Sequence, residues 1–255
     1  MTVEDAAYGG AESEKLVSAA MLMRLALIAA FVIVAGASSA VAAPQRIIIL
    51  RHGEKADDWK PCEIGEQRAS ALALTYLGRD AIKSLFAGGD EPAFFFAITP
   101  NTAALASPSV ASWNKPVILY SAMPQENHED FTKGLNRRTV DAARNVLANP
   151  TLEGKTVVMV WEHEHIASEA LEAKFENEAV TLRQLFKLDI LPGVPKTWPG
   201  ETYDYFWIVD FPEHSNVPSK FEMVKQEFGA SFPRVPANDW GAPDGLDAAS
   251  GCTRD

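Results

Sequence analysis

After residue 44 the chain carries five short apolar runs: 46–50 (RIIIL), 93–98 (AFFFAI), 117–120 (VILY), 156–161 (TVVMVW) and 205–209 (YFWIV). Each is continuous rather than alternating and rich in β-branched or aromatic side chains, the pattern of strands buried on both faces. Helix-like spacing fills the gaps at 65–77, at 138–147 ahead of Asn149-Pro150, at 166–175, and at 181–188 ahead of Pro192. Strands alternating with helices predict an α/β fold, a three-layer sandwich around a largely parallel sheet. Residues 100–116 hold three prolines, and residues 189–204 hold three prolines and two glycines. Both stretches read as surface loops bordering a site. The tail from Phe232, with Pro233, Pro236 and Pro243, is expected to pack without regular structure.

The N-terminal pattern is different. Residues 25–43 are uncharged, follow Arg24 and end in the small-residue step Ala40-Val41-Ala42. That layout predicts a signal peptide cleaved near Ala42 and a periplasmic or secreted protein. The apolar part is short for a membrane span, so an uncleaved N-terminal anchor is the alternative and stable membrane insertion after cleavage is not expected. The acidic stretch ahead of it suits a start at Met21 or Met23 better than one at Met1. The division is therefore an N-terminal extension and signal peptide over 1–43 and a single domain over 44–255.

The 255 residues include 47% hydrophobic and 22% charged positions, enough for a sizeable core. Formal net charge is −11; losing residues 1–42 removes four acidic and two basic residues and leaves −9. No basic footprint for nucleic acid exists, and an anionic ligand needs a local cationic pocket. Two cysteines, Cys62 and Cys252, allow one bridge or two free thiols and exclude a four-thiolate zinc site.

Candidate chemistry stands at the strand tips, where open α/β sheets place their sites. The first strand runs into Arg51-His52-Gly53-Glu54-Lys55. A guanidinium offers a planar fork to a phosphoryl oxyanion, an imidazole can serve as nucleophile, and glycine admits close backbone approach. The fourth strand runs into Glu162-His163-Glu164-His165. As a metal cluster this run fails: its ligands converge only on extended backbone, and no third group completes the set. No metal or cofactor is expected. His128 and His214 read as surface residues, and Trp113, Trp198 and Tyr203 either line a pocket or pack under loops.

Ile47-Ile48-Ile49-Leu50-Arg51-His52-Gly53-Glu54, followed by a helix, resembles the opening of the histidine phosphatase superfamily, which includes the cofactor-dependent phosphoglycerate mutases. Residues 154–166 are similar to that family's late strand, with His163 the better match for its second histidine and His165 pointing elsewhere. The resemblance implies the phosphoglycerate mutase-like α/β fold and hydrolysis of a small-molecule phosphate monoester through a phosphohistidine on His52. Arg51, Gly53 and His163 would bind the phosphoryl group, and Glu164, Glu126 or Glu54 would give the leaving oxygen its proton. The family's second phosphate arginine, in S-P-x-x-R, has no counterpart in the segment Thr99-Pro100-Asn101-Thr102-Ala103. Arg138, with Arg137 beside it, is the candidate substitute, and a solvated basic pair is the alternative. A non-catalytic or weakly catalytic phosphate-ligand binding protein of the same fold is the alternative.

Overall fold

The structure is a computed structural model, and it describes residues 43–253 except 87, 89 and 247. The signal peptide expected before Ala43 lies outside the described residues. Among those residues the chain forms strand β1 (Arg46–Arg51), helix α1 (Glu63–Leu72, continuing as a π-helical turn over Ala73–Leu77), β2 (Pro92–Ala97), α2 (Pro100–Ser112), β3 (Val117–Leu119), α3 (His128–Ala148) and β4 (Thr156–Trp161). Short helices α4 (His163–Ile166), α5 (Glu169–Lys174) and α6 (Leu182–Leu185) precede β5 (Tyr205–Asp210) and β6 (Lys220–Lys225).

The strands form one sheet in the order β3-β2-β4-β1-β5-β6. β1, β2, β3 and β4 pair in parallel, and β5 runs antiparallel to both its neighbours. The continuous apolar runs have a direct cause. Ile47 and Ile49 face one core cluster, with Val157, Met159 and residues of α3 and α6, while Ile48 and Leu50 face the other, with Val158, Val160 and residues of α1 and α2. Helices on both faces make this a three-layer α/β sandwich.

Three elements correct the pattern reading. Residues 100–116 are mostly helix: Pro100 sits in the first turn, where its missing N–H costs nothing, Thr99 caps the end, and Pro116 falls beyond Ser112. Only Pro108 is interior, and the alanines around it sustain the helix. Helix α3 begins ten residues earlier than Arg138, capped by the Asn127 side chain on the Glu129 N–H. Its inner face is Thr132, Leu135, Asn136, Thr139, Ala142, Ala143 and Val146, too polar in its first half to signal a helix. Strand β6 went unpredicted because KFEMVK alternates charged with apolar residues, the usual dress of an edge strand.

Among the described residues, the tail after Phe232 forms only a 3-10 turn (Ala248–Ser250) and a bridge from Thr253 to Lys55. A disulfide joins Cys62, beside α1, to Cys252. It fastens the tail against the loop that follows His52.

Candidate active site

The two strand tips singled out in the sequence are adjacent because β1 and β4 pair in parallel, with Arg51 opposite Trp161. The His52 N–H still donates to the Trp161 carbonyl at 2.9 Å, so His52 and Glu162 leave the sheet side by side. The His52 and His163 rings then stand 5.7 Å apart, edge to face.

His52 is fully buried. Its Nδ1 lies 2.7 Å from the Gly53 carbonyl, a contact only an N–H can make, so Nε2 carries the lone pair. Arg51 Nη2 donates to that Nε2 at 2.9 Å. The other end of the Arg51 guanidinium donates to the carbonyls of Pro199 and Gly200, and its face lies 3.9 Å from the Tyr203 ring centre. The 189–204 loop therefore borders the site as expected. Its Tyr203 is a wall residue, and Trp198 is buried with its indole N–H on the Thr202 carbonyl. Trp113 instead packs against Phe86, with its N–H on the Leu77 carbonyl.

Gly53 has a packing reason as well as a chemical one. A Cβ there would stand 3.0 Å from Leu105 Cδ1.

Sequence reasoning passed over Glu162. This buried carboxylate places Oε2 3.4 Å from His52 Nε2 and 3.0 Å from Lys55 Nζ, while Oε1 accepts the Thr99 hydroxyl at 2.7 Å. Burial pushes its carboxyl up, and a protonated His52 ring, the Lys55 ammonium and the Thr99 hydroxyl together outweigh burial and hold it at about 2; the neutral His52 ring leaves Lys55 and Thr99 to do this. The available signal was a carboxylate directly before the second histidine, at a tip whose strand neighbour ends in Arg51-His52.

The remaining candidates separate. Glu164 and Glu126 are exposed, and both line a cavity of about 980 Å³ that also includes Lys55, Glu162, His163 and Gly200. Glu54 is not available as a proton donor. It is fully buried and bound by Arg68 Nε and Nη2 at 2.9 and 2.7 Å; burial raises its carboxyl, and Arg68 overrides that to leave it below the usual carboxylate range. Arg68 also holds Asp204 at 2.9 Å, making a structural triad behind the site. Arg138 is corrected too: it is exposed on α3, pairs with Asp141 at 3.5 Å, and lines a separate pocket with Arg137. The early start of α3 puts these arginines in the middle of a long helix rather than at a tip facing the strand ends.

His165, as expected, points elsewhere. Its Nε2 lies 2.9 Å from Asn136 Oδ1 on α3, and burial holds the ring neutral, at about 4. His214 is exposed beside Glu153, whereas His128 opens α3 and lines the cavity. Among the described residues no group of three metal-ligating side chains converges.

No family model matches the chain, and no curated protein is similar to it. Solved structures to which it is similar include a protein named mycobacterial hydrolase 2, at 13% identity over 73% of this chain and 94% of that one, with a TM-score of 0.39. The mycobacterial glucosyl-3-phosphoglycerate phosphatase is another. Its complex with inorganic phosphate aligns at 13% identity over 80% of this chain and 100% of that one (TM-score 0.39), and its native form at 14% over 71% and 98% (TM-score 0.37). At such scores the likeness decides nothing about chemistry, which rests on the residues themselves.

Proposed function

We propose that the protein is an exported phosphatase that hydrolyses a small phosphate monoester through a phosphohistidine on His52. One observation carries this reading: the Gly53 carbonyl accepts the hydrogen on Nδ1, which leaves on Nε2 a lone pair that Arg51 contacts at 2.9 Å at the strand ends, with the His163 ring 5.7 Å away. A neutral imidazole with a fixed tautomer is what in-line attack on phosphorus needs. Nε2 forms the N–P bond as the ester oxygen departs. Arg51 and His163 hold the equatorial oxygens, whose charge must meet preorganised donors. The leaving oxygen takes its proton from a cavity carboxyl, Glu126 or Glu164; water then attacks the phosphorus, giving a proton back to that carboxylate, and the N–P bond breaks to release phosphate and neutral His52. Glu162, beside the attacking nitrogen, offsets the positive charge the ring acquires on phosphorylation.

The Cys62–Cys252 disulfide fits export, because such bonds persist in oxidising compartments. Protein recovered from the periplasm or medium is expected to begin near Ala43 or Pro44; a membrane-bound form retaining residues 21–42 would replace cleavage by anchoring.

The purified mature protein, assayed on a panel of phosphate monoesters with and without EDTA, tests the activity. Turnover insensitive to EDTA and lost in a folded His52→Ala variant is the expected result. Full activity in His52→Ala would remove the nucleophile from the account, and phosphate binding without turnover of any ester would establish the binding-protein reading instead.

A further inference from the structure

A phosphoryl dianion entering this site meets Glu162, a carboxylate already within 3.4 Å of the attacking nitrogen. Arg51 alone is poorly placed to offset both charges, since one end of its guanidinium already serves the Pro199 and Gly200 carbonyls. A second cation is required, and the fold narrows the choice. Arg68 is locked between Glu54 and Asp204, and Arg138 belongs to the outer face of α3. Among the described residues, Lys55 is the one lysine or arginine lining the cavity that Glu162 and His163 also line.

Resting on the phosphohistidine reading above, we propose that Lys55 is a phosphoryl-binding residue whose ammonium Glu162 holds beside His52 until an anionic ligand takes it over. Its Nζ is 3.0 Å from the Glu162 oxygen that itself approaches His52 Nε2, so a single carboxylate oxygen separates ammonium from nucleophile. Its side chain is only 12% exposed, which strengthens its attraction for an anion over that of a solvated lysine.

The backbone under it is fixed from two sides. Lys55 bridges to Pro61 within its own loop and to Thr253 in the tail, whose N–H donates to the Lys55 carbonyl at 2.7 Å. The adjacent disulfide holds both segments in place. The stem is thus positioned while the flexible end swings between Glu162 and a ligand oxygen. A lysine suits that exchange because its ammonium is a point charge without the fixed fork geometry of arginine.

The test uses the full mature protein, with inorganic phosphate as probe by calorimetry and the best ester as substrate. Lys55→Met is expected to weaken phosphate binding and lower kcat/KM at least about tenfold, with Lys55→Arg recovering most of both and Arg79→Ala unchanged. Because Lys55→Met leaves Glu162 buried without its ammonium, Lys55→Met/Glu162→Gln is measured alongside. It keeps a neutral side chain against Thr99 and should still fall short of Glu162→Gln alone in phosphate affinity. Phosphate affinity and turnover within about twofold of wild type in Lys55→Met would overturn the role of Lys55 while leaving the nucleophile untouched. Wild type that neither binds phosphate nor turns over any ester would overturn the phosphohistidine reading, and this inference with it.

Discussion

Replacing Cys62 and Cys252 together with alanine removes the one covalent tie between the tail and the strand-tip loop. The bridge joins residues 190 apart in sequence, a very long closed loop. Chain-entropy arithmetic for a loop of that length gives about 5 kcal/mol, and native disulfides removed from other proteins usually cost about 2–5 kcal/mol. Cys62 is buried, so alanine there avoids stranding a serine hydroxyl, and the loss is dominated by the freed unfolded chain. For a protein of this size 1 kcal/mol moves the melting temperature by about 2–4 °C, so the midpoint should fall by roughly 4–20 °C. Calorimetry and urea unfolding, each with and without reductant, read this directly. Wild type should lose stability in reductant and the double variant should not respond. Since Thr253 rests on the Lys55 carbonyl beside the bridge, kcat/KM should fall as well. Equal midpoints for oxidised wild type and double variant would refute the view that the bridge stabilises the chain.

Three further outcomes follow from single contacts. His165 is held neutral near about 4 against an ordinary value of 6.5; the unfolded chain therefore binds its proton first, and unfolding free energy should drop as pH falls from 6.5 to 4, by up to roughly 3 kcal/mol. Urea titrations across that window should show the drop in wild type and a flatter profile in His165→Gln, whose amide can still donate to Asn136. If Glu126 or Glu164 protonates the leaving oxygen, changing it to glutamine should slow alkyl phosphate esters at least about tenfold while sparing an aryl ester with an acidic leaving group, and a uniform effect on both would argue for binding instead. Gly65→Ala would thrust a Cβ to 2.1 Å from the Glu54 carbonyl oxygen, so α1 must move off the strand-tip loop, and melting temperature and turnover should fall together.

How far the fold could be read in advance depended on the kind of signal each element carries. β1 and β4 were legible because both faces are covered, which makes the sequence continuously apolar up to Arg51 and Trp161. α2 was hidden by prolines whose meaning depends on position, harmless at Pro100 and beyond the end at Pro116. The inner face of α3 relies on Thr132, Asn136 and Thr139, and two of these meet buried partners, His165 and the Trp161 indole, that only the folded chain supplies. In the site, His52 and His163 were readable as tip residues. The carboxylates were not, since Glu54, Glu162 and Glu164 look alike in sequence. What separates them is that Arg68, fourteen residues on, captures Glu54, that strand pairing brings Glu162 to His52, and that α4 leaves Glu164 on the cavity wall. Lys55 follows the motif directly in sequence, but the Glu162 contact behind its proposed role depends on the same pairing.

The most direct test of the central claim is to look for the phosphohistidine itself. Wild type mixed with the best ester and quenched in alkali within milliseconds, where an N–P bond survives, should carry a covalent phosphate that peptide mass spectrometry places on His52. That phosphate should form and decay fast enough to account for turnover, and it should be absent from His52→Ala. Turnover with no phosphate on His52 at any quench time, or with the phosphate on another residue, would contradict the account.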